Sequence, residues 1–215
     1  MKTLLVIPNY NHSSSCSILI GKLPQYSKLV VDDGSTIPFK NKVKSSNVII
    51  VRNSKNMGKG FSIKKAAKYA ISNQYSHILT IDADMQHDPI YIEDFINYDK
   101  NSDLVYGKRN FKINMPFLRK SSNYITSKII SHLCRSNIYD TQCGYRLYNL
   151  ELFKSLDSKE NGYHFETEIL LMKINKHSNI EYVNISTIYN GSKSHINNIL
   201  DTVKFLILII KNIFK

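Results

Sequence analysis

Apolar residues arrive first in short unbroken runs and later in spaced, helix-like repeats. TLLVIP (Thr3–Pro8), KLVVDDGS (Lys28–Ser35), NVIIVRN (Asn47–Asn53) and HILTID (His77–Asp82) are rich in β-branched residues and continuous. Continuous rather than alternating apolar character predicts strands covered on both faces by helices. Between the third and fourth runs, MGKGFSIKKAAKYAISN places Phe61, Ala66, Ala67, Ala70 and Ile71 on one helical face. Strands separated by helices predict an α/β fold: a single doubly wound, mostly parallel sheet flanked by helices.

After Asp84 the pattern changes. DPIYIEDFINY reads as a helix with Asp88 as N-cap and Pro89 at its first position. DLVYGKR predicts a short strand, and FLRKSSNYITSKIISHL a helix carrying several basic residues. GYRLY, FETEILLMKINK and IEYVNISTIY then read as strand, helix and strand. With no repeat, low-complexity segment or Gly/Ser linker, one domain over residues 1–198 is expected, followed by a distinct tail at 199–215.

Drawn at 100° per residue, the tail is an amphipathic helix. Ile199, Val203, Leu206, Ile209, Ile210, Ile213 and Phe214 take one side; Asp201, Lys204, Lys211, Asn212 and Lys215 take the other. Phe205 and Leu208 break the pattern by falling on the polar side. Such a basic helix suits a membrane interface, or alternatively docking on its own core.

Charge narrows the partners. Twenty-nine Lys and Arg against 17 Asp and Glu give the 215 residues a formal +12, which favours nucleic acid, anionic lipid or phosphorylated small molecules. Nucleic acid is disfavoured, because the basic residues are scattered and no recognition motif appears. Cys16, Cys134 and Cys143 form no CxxC pair, so a reduced protein without structural zinc is expected. Pro8 stops the first apolar run too early for a signal peptide, and no stretch is long enough to span a bilayer. A cytoplasmic protein, peripheral at the cytoplasmic face of the membrane, follows as an expectation.

The candidate chemistry lies in the carboxylates. Ligands of an open parallel sheet sit beyond the C-terminal strand ends, where Asp32, Asp33 and Asp82 fall. If the chain stays extended past Asp82, then Asp82, Asp84 and Gln86 share one face. Two carboxylates and an amide oxygen are hard ligands suited to Mg²⁺ or Mn²⁺, with open positions left for substrate phosphates. Each part has an ordinary reading as well: Asp88 as a helix cap, Asp32 and Asp33 as turn residues before Gly34. Other phosphate and metal motifs fail, since there is no GxxxxGK[ST] loop, no GxGxxG after the first strand and no deaminase zinc signature.

The ordered series IPNYN, VDDGS, NMGKG, DADMQHDP, YGKR, FLRKSSN, DTQCGYRLY, GYHFETE and STIYNGSKSH resembles the family-two glycosyltransferases of GT-A fold. Within them it is most similar to the dolichyl-phosphate mannose synthases and their bacterial polyprenyl-phosphate relatives. The likeness runs from Leu5 to about Asp201. It implies that Pro8, Tyr10 and Asp33 line the nucleotide pocket and that Asp82 faces the nucleotide. Asp84 and Gln86 would hold the divalent ion, Arg109 and Arg119 would contact phosphate oxygens, and Lys193 would close over the site. Arg146 and Glu168 match positions that the family keeps, and Asp84, Arg109 and Glu168 form the implied catalytic set.

The sequence departs from that family at His12, where glutamate is frequent, in a shortened first helix, and in lacking an arginine before GSK and hydrophobic C-terminal spans. The implied reaction is inverting transfer from a nucleotide-diphosphate sugar, with polyprenyl phosphate as the expected acceptor. A phosphate acceptor, with a second pKa of about 6, could attack without a base. A sugar hydroxyl of a cell-surface polysaccharide would need one, with Glu166, Glu168 and His195 as candidates. A non-catalytic membrane or nucleic-acid binding module and a nucleotidyltransferase are the rival classes.

Overall fold

The computed structural model describes residues 1–43, 47–110, 117–186, 188 and 198–213, the side chains of 117–119, 198–202 and 213 excepted. The elements are β1 (Thr3–Asn9), α1 (Ser13–Lys22), β2 (Lys28–Asp32), β3 (Val48–Arg52), α2 (Lys59–Ser72) and β4 (His77–Thr80). They continue with α3 (Ile92–Ile96), β5 (Leu104–Arg109), α4 (Phe117–Cys134), β6 (Arg146–Asn149), α5 (Phe165–Lys173), β7 (Ile180–Ile185) and α6 (Asn198–Ile213).

The strands form one seven-stranded sheet in the order β3-β2-β1-β4-β6-β5-β7. Only β6 runs against the others, pairing antiparallel with β4 and β5, while β5 pairs parallel with β7. The expected α/β sheet is therefore present in mixed form. Its one reversed strand matters for the site. Thr80 at the end of β4 pairs with Arg146 at the start of β6, so the segment leading into β6 arrives at the same sheet edge as Asp82.

Successive β1 residues explain the unbroken apolar run. Leu4 and Val6 join a core with Ile63, Ala66 and Ala70 of α2, Ile130 of α4, Ile169 of α5 and Phe205 of α6. Leu5 and Ile7 join another with Leu19 of α1 and Phe95 of α3. Both faces are covered, so no position is left for polar alternation. Each such fully buried side chain contributes about 1.5–3 kcal/mol. β3 departs from that expectation: it is an edge strand, and Ile49 and Ile50 are exposed.

Asp88 caps a short 3-10 turn over Pro89–Tyr91, accepting from the Ile90 N–H, before the five residues of α3. The tail helix docks through the two residues that broke its sequence pattern, Phe205 and Leu208, together with Ile209 from its apolar side. Phe205, Leu208 and Ile209 are 3–8% exposed, whereas Val203, Leu206, Ile207 and Ile210 are 45–55% exposed. Among the described residues no helix is long and apolar enough to cross a membrane.

Candidate active site

Lys59, the first residue of α2, lies at the centre of the acidic edge. Its Nζ is 2.6 Å from Asp82 Oδ1 and 3.1 Å from Glu166 Oε1. An ammonium at a helix N-terminus opposes the helix dipole, so these carboxylates must hold it there. Burial alone would lower the Lys59 pKa, but Asp82 and Glu166 outweigh burial and raise it. Asp82 moves the opposite way: burial disfavours its charge, and Lys59 followed by His87 pulls it below the usual carboxylate range.

Two glycines make the cluster possible. Gly58 has φ +98°, and a Cβ there would come within 2.2 Å of the Asn161 carbonyl oxygen. The start of α2 is thereby fastened against the loop before α5, with the Gly60 and Phe61 N–H groups donating to Gly162 and Asn161 carbonyls. Gly144 comes from the segment that β6 delivers. A Cβ there would meet Lys59 Nζ at 2.4 Å and Asp82 Oδ2 at 2.7 Å.

Past Asp82 the chain is not extended, which corrects the expected alternation. Residues 83 and 84 form a turn, and Met85 takes φ +64°, rare for a side chain of its size. Asp84 accepts from the Gln86 N–H at 3.0 Å, closing the turn, and the Gln86 carbonyl accepts from the Ile188 N–H. A tight turn rather than strand pleating brings Asp82 and Asp84 to one edge. His87 follows, buried and stacked on Tyr145 with ring centroids 5.3 Å apart. Its Nδ1 makes no hydrogen bond and lies 3.9 Å from Asp82 Oδ2. Burial lowers the His87 pKa against the pull of Asp82 and Asp84.

The other expected residues divide between the site and its scaffold. Asp33 accepts from the Met57 and Gly58 N–H groups at 2.9 and 2.8 Å and from the Asn53 amide at 2.7 Å, so it shapes the NMGKG loop. Asp32 is a buried turn residue, accepting from the Ser35 and Phe39 N–H groups and pairing with Arg52. Pro8 is half-buried near the end of β1, and Tyr10 just beyond it is exposed. Arg109 forms a two-pronged pair with buried Asp140, at 2.7 and 2.9 Å. Arg146 donates to the Thr141, Cys143 and Glu166 carbonyls, tying the β6 approach to α5.

Glu168 accepts from the Ser158 hydroxyl and the Glu160 N–H. Those partners place it under the loop before α5; its neighbour Glu166 is the carboxylate that reaches Lys59. The Arg119 side chain, Lys193 and His195 lie outside the described residues. Sequence reasoning missed Lys59, Gly144 and His87 as site residues. NMGKG enters the family likeness with no role for its lysine, although a lysine between two glycines at a predicted helix start is a signal.

Comparison with known proteins fixes the class. The glycosyl transferase family 2 model matches residues 5–157. An uncharacterized protein of Methanocaldococcus jannaschii is 33% identical over 85% of this chain and 87% of its own length. The undecaprenyl-phosphate mannosyltransferase of Micrococcus luteus is 24% identical over 79% of this chain and 76% of its own. Among solved structures, glucosyl-3-phosphoglycerate synthase from Mycobacterium tuberculosis, crystallised with Mn²⁺, UDP and glucosyl-3-phosphoglycerate, has a TM-score of 0.72 at 16% identity. The match covers 98% of this chain and 79% of that one. The fold is that of the GT-A glycosyltransferases. This chain belongs to glycosyltransferase family 2.

A divalent ion suits the residues present. Asp82 and Asp84 are hard oxygen donors brought to one edge by the turn, and buried His87 Nδ1 faces Asp82 without a hydrogen bond. The Lys59 ammonium already stands against Asp82, so the edge is built around positive charge. Among the described residues no three His, Cys, Asp or Glu side chains form a ready-made metal cage.

Proposed function

We propose that this glycosyltransferase moves a sugar from a nucleotide-diphosphate sugar to polyprenyl phosphate at a membrane surface, with inversion and with the help of Mg²⁺ or Mn²⁺. The carrying observation is the acidic edge at the end of β4: Asp82 fixed by Lys59, and Asp84 placed by the turn beside it. Asp84, with Asp82 and Gln86, would hold the ion, which as a Lewis acid would offset charge on the departing diphosphate. Tyr10 and Pro8 at the end of β1 would flank the base, beside the loop that Asp33 organises. Arg109, oriented by Asp140, would add fixed positive charge, as would Arg119 and Lys193. Glu168 acts through the loop that it holds.

The acceptor assignment draws on α6. Val203, Leu206, Ile207 and Ile210 form an exposed apolar band opposite the docked face, with exposed Lys204 and Lys211 beside it. One face thus serves the core, and the other suits the interface of an anionic membrane. The Micrococcus luteus relative, named for undecaprenyl phosphate, supports the same acceptor class. On this reading residues 1–198 carry the chemistry, and 199–215 also anchor the protein peripherally at the cytoplasmic face. Nucleic acid has no place in it.

The test is incubation with labelled nucleotide sugars and polyprenyl phosphate in anionic vesicles. The proposal expects an organic-extractable labelled lipid; label confined to soluble glycans would overturn the acceptor.

A further inference from the structure

We propose that Lys59 is the resident counter-cation of the acidic edge and makes divalent-ion binding depend on the nucleotide diphosphate. The inference rests on the nucleotide-sugar reading and assigns a positioning role to a residue outside the implied catalytic set.

The geometry is specific. The Lys59 ammonium bridges Asp82 and Glu166 at 2.6 and 3.1 Å, on backbone that Gly58, Gly60 and Gly144 bring into close approach. No acidic residue stands in the first turn of α2, so nothing on that helix offsets the charge. Both partners come from elsewhere, Asp82 beyond β4 and Glu166 from α5. His87 Nδ1, buried and without a hydrogen bond, lies 3.9 Å from the other oxygen of the same carboxylate.

The consequence is electrostatic. Without Lys59, the charges of Asp82 and Glu166 would go unneutralised, and the edge that also carries Asp84 would attract a free divalent cation more strongly. With it, Asp82 and Glu166 share one positive charge, and Asp84 meets the ion with less help. The ion then binds well only when a diphosphate brings negative charge and further oxygen ligands. By linkage, the factor by which nucleotide tightens ion binding equals the factor by which the ion tightens nucleotide binding.

The experiment measures Mn²⁺ binding by electron paramagnetic resonance of the free ion, with and without UDP or GDP, and needs no turnover. Wild type is expected to bind Mn²⁺ weakly alone and much more tightly with nucleotide. Lys59→Met should bind Mn²⁺ alone about tenfold more tightly, with correspondingly reduced coupling. Lys59→Arg should restore the wild-type pattern. General structural damage would weaken Mn²⁺ binding, so a gain separates the two explanations. If folded Lys59→Met binds Mn²⁺ alone no better than wild type, the proposal is overturned.

Should Lys59→Met fail to give a native circular dichroism spectrum, Glu166→Gln carries the test. It leaves Lys59 on Asp82 and should weaken Mn²⁺ binding alone about tenfold; unchanged affinity there would also overturn the proposal. Absence of any Mn²⁺–nucleotide coupling in wild type would instead sink the underlying donor reading, and this inference with it.

Discussion

Arg109 grips Asp140 through two parallel hydrogen bonds, Nε to Oδ2 at 2.7 Å and Nη2 to Oδ1 at 2.9 Å, with the Asp140 carboxylate fully buried. The Arg109 N–H and the Asn123 amide donate to the same carboxylate. Arg109 ends β5, so this pair fixes one wall of the site.

Breaking a buried pair costs about 3–5 kcal/mol, because the remaining charge stays uncompensated. Asp140→Asn should therefore lower the melting temperature by roughly 10 °C, readable by calorimetry. Burial alone would raise the Asp140 pKa, but Arg109 and then Asn123 outweigh it and hold the carboxyl below the usual range. A depressed carboxyl contributes stability above its unfolded value of about 3.9, lost as pH falls through the folded value. Wild type should thus lose stability steeply below about pH 4, and Asp140→Asn should show a shallower acid limb.

Gly144→Ala tests whether Lys59 must sit where it does. The added methyl would lie 2.4 Å from Lys59 Nζ, and overpacking of that kind costs about 1–3 kcal/mol. The protein should still fold, while its affinity for nucleotide sugar, measured by isothermal titration calorimetry, falls about tenfold or more as Lys59 and Asp82 separate.

The two faces of α6 should respond differently. Leu208 is buried, so Leu208→Ala should cost about 2–5 kcal/mol in chemical denaturation. Leu206→Glu with Ile210→Glu lies on exposed positions and should change stability by less than about 1 kcal/mol. That double variant should lose co-sedimentation with anionic vesicles; retained sedimentation would assign the exposed band another role.

Much of the frame was legible because local rules and tertiary packing agreed. The runs at Thr3, Lys28 and His77 are continuous because helices cover both faces of the sheet. Asp88 behaves as the cap that its neighbour Pro89 announces. The illegible parts depend on what meets what in space. Nothing local in GYRLY reveals that β6 runs backward and brings Gly144 to Asp82. DADMQ looked like continued strand because alternation is invisible to a turn held by Asp84 and a positive φ at Met85. Phe205 and Leu208 looked misplaced on a wheel drawn for one environment, whereas α6 meets two.

Asp84 carries the central claim, and its substitution is the most direct trial. Asp84→Asn keeps shape and the N–H acceptor oxygen of the turn but removes the charge that would hold the ion. With Mn²⁺, nucleotide sugar and polyprenyl phosphate at saturation, formation of labelled lipid should fall about a thousandfold with the melting temperature little changed. Turnover close to wild type from the folded variant, or from wild type in excess EDTA, would contradict a cation-assisted transfer at this edge.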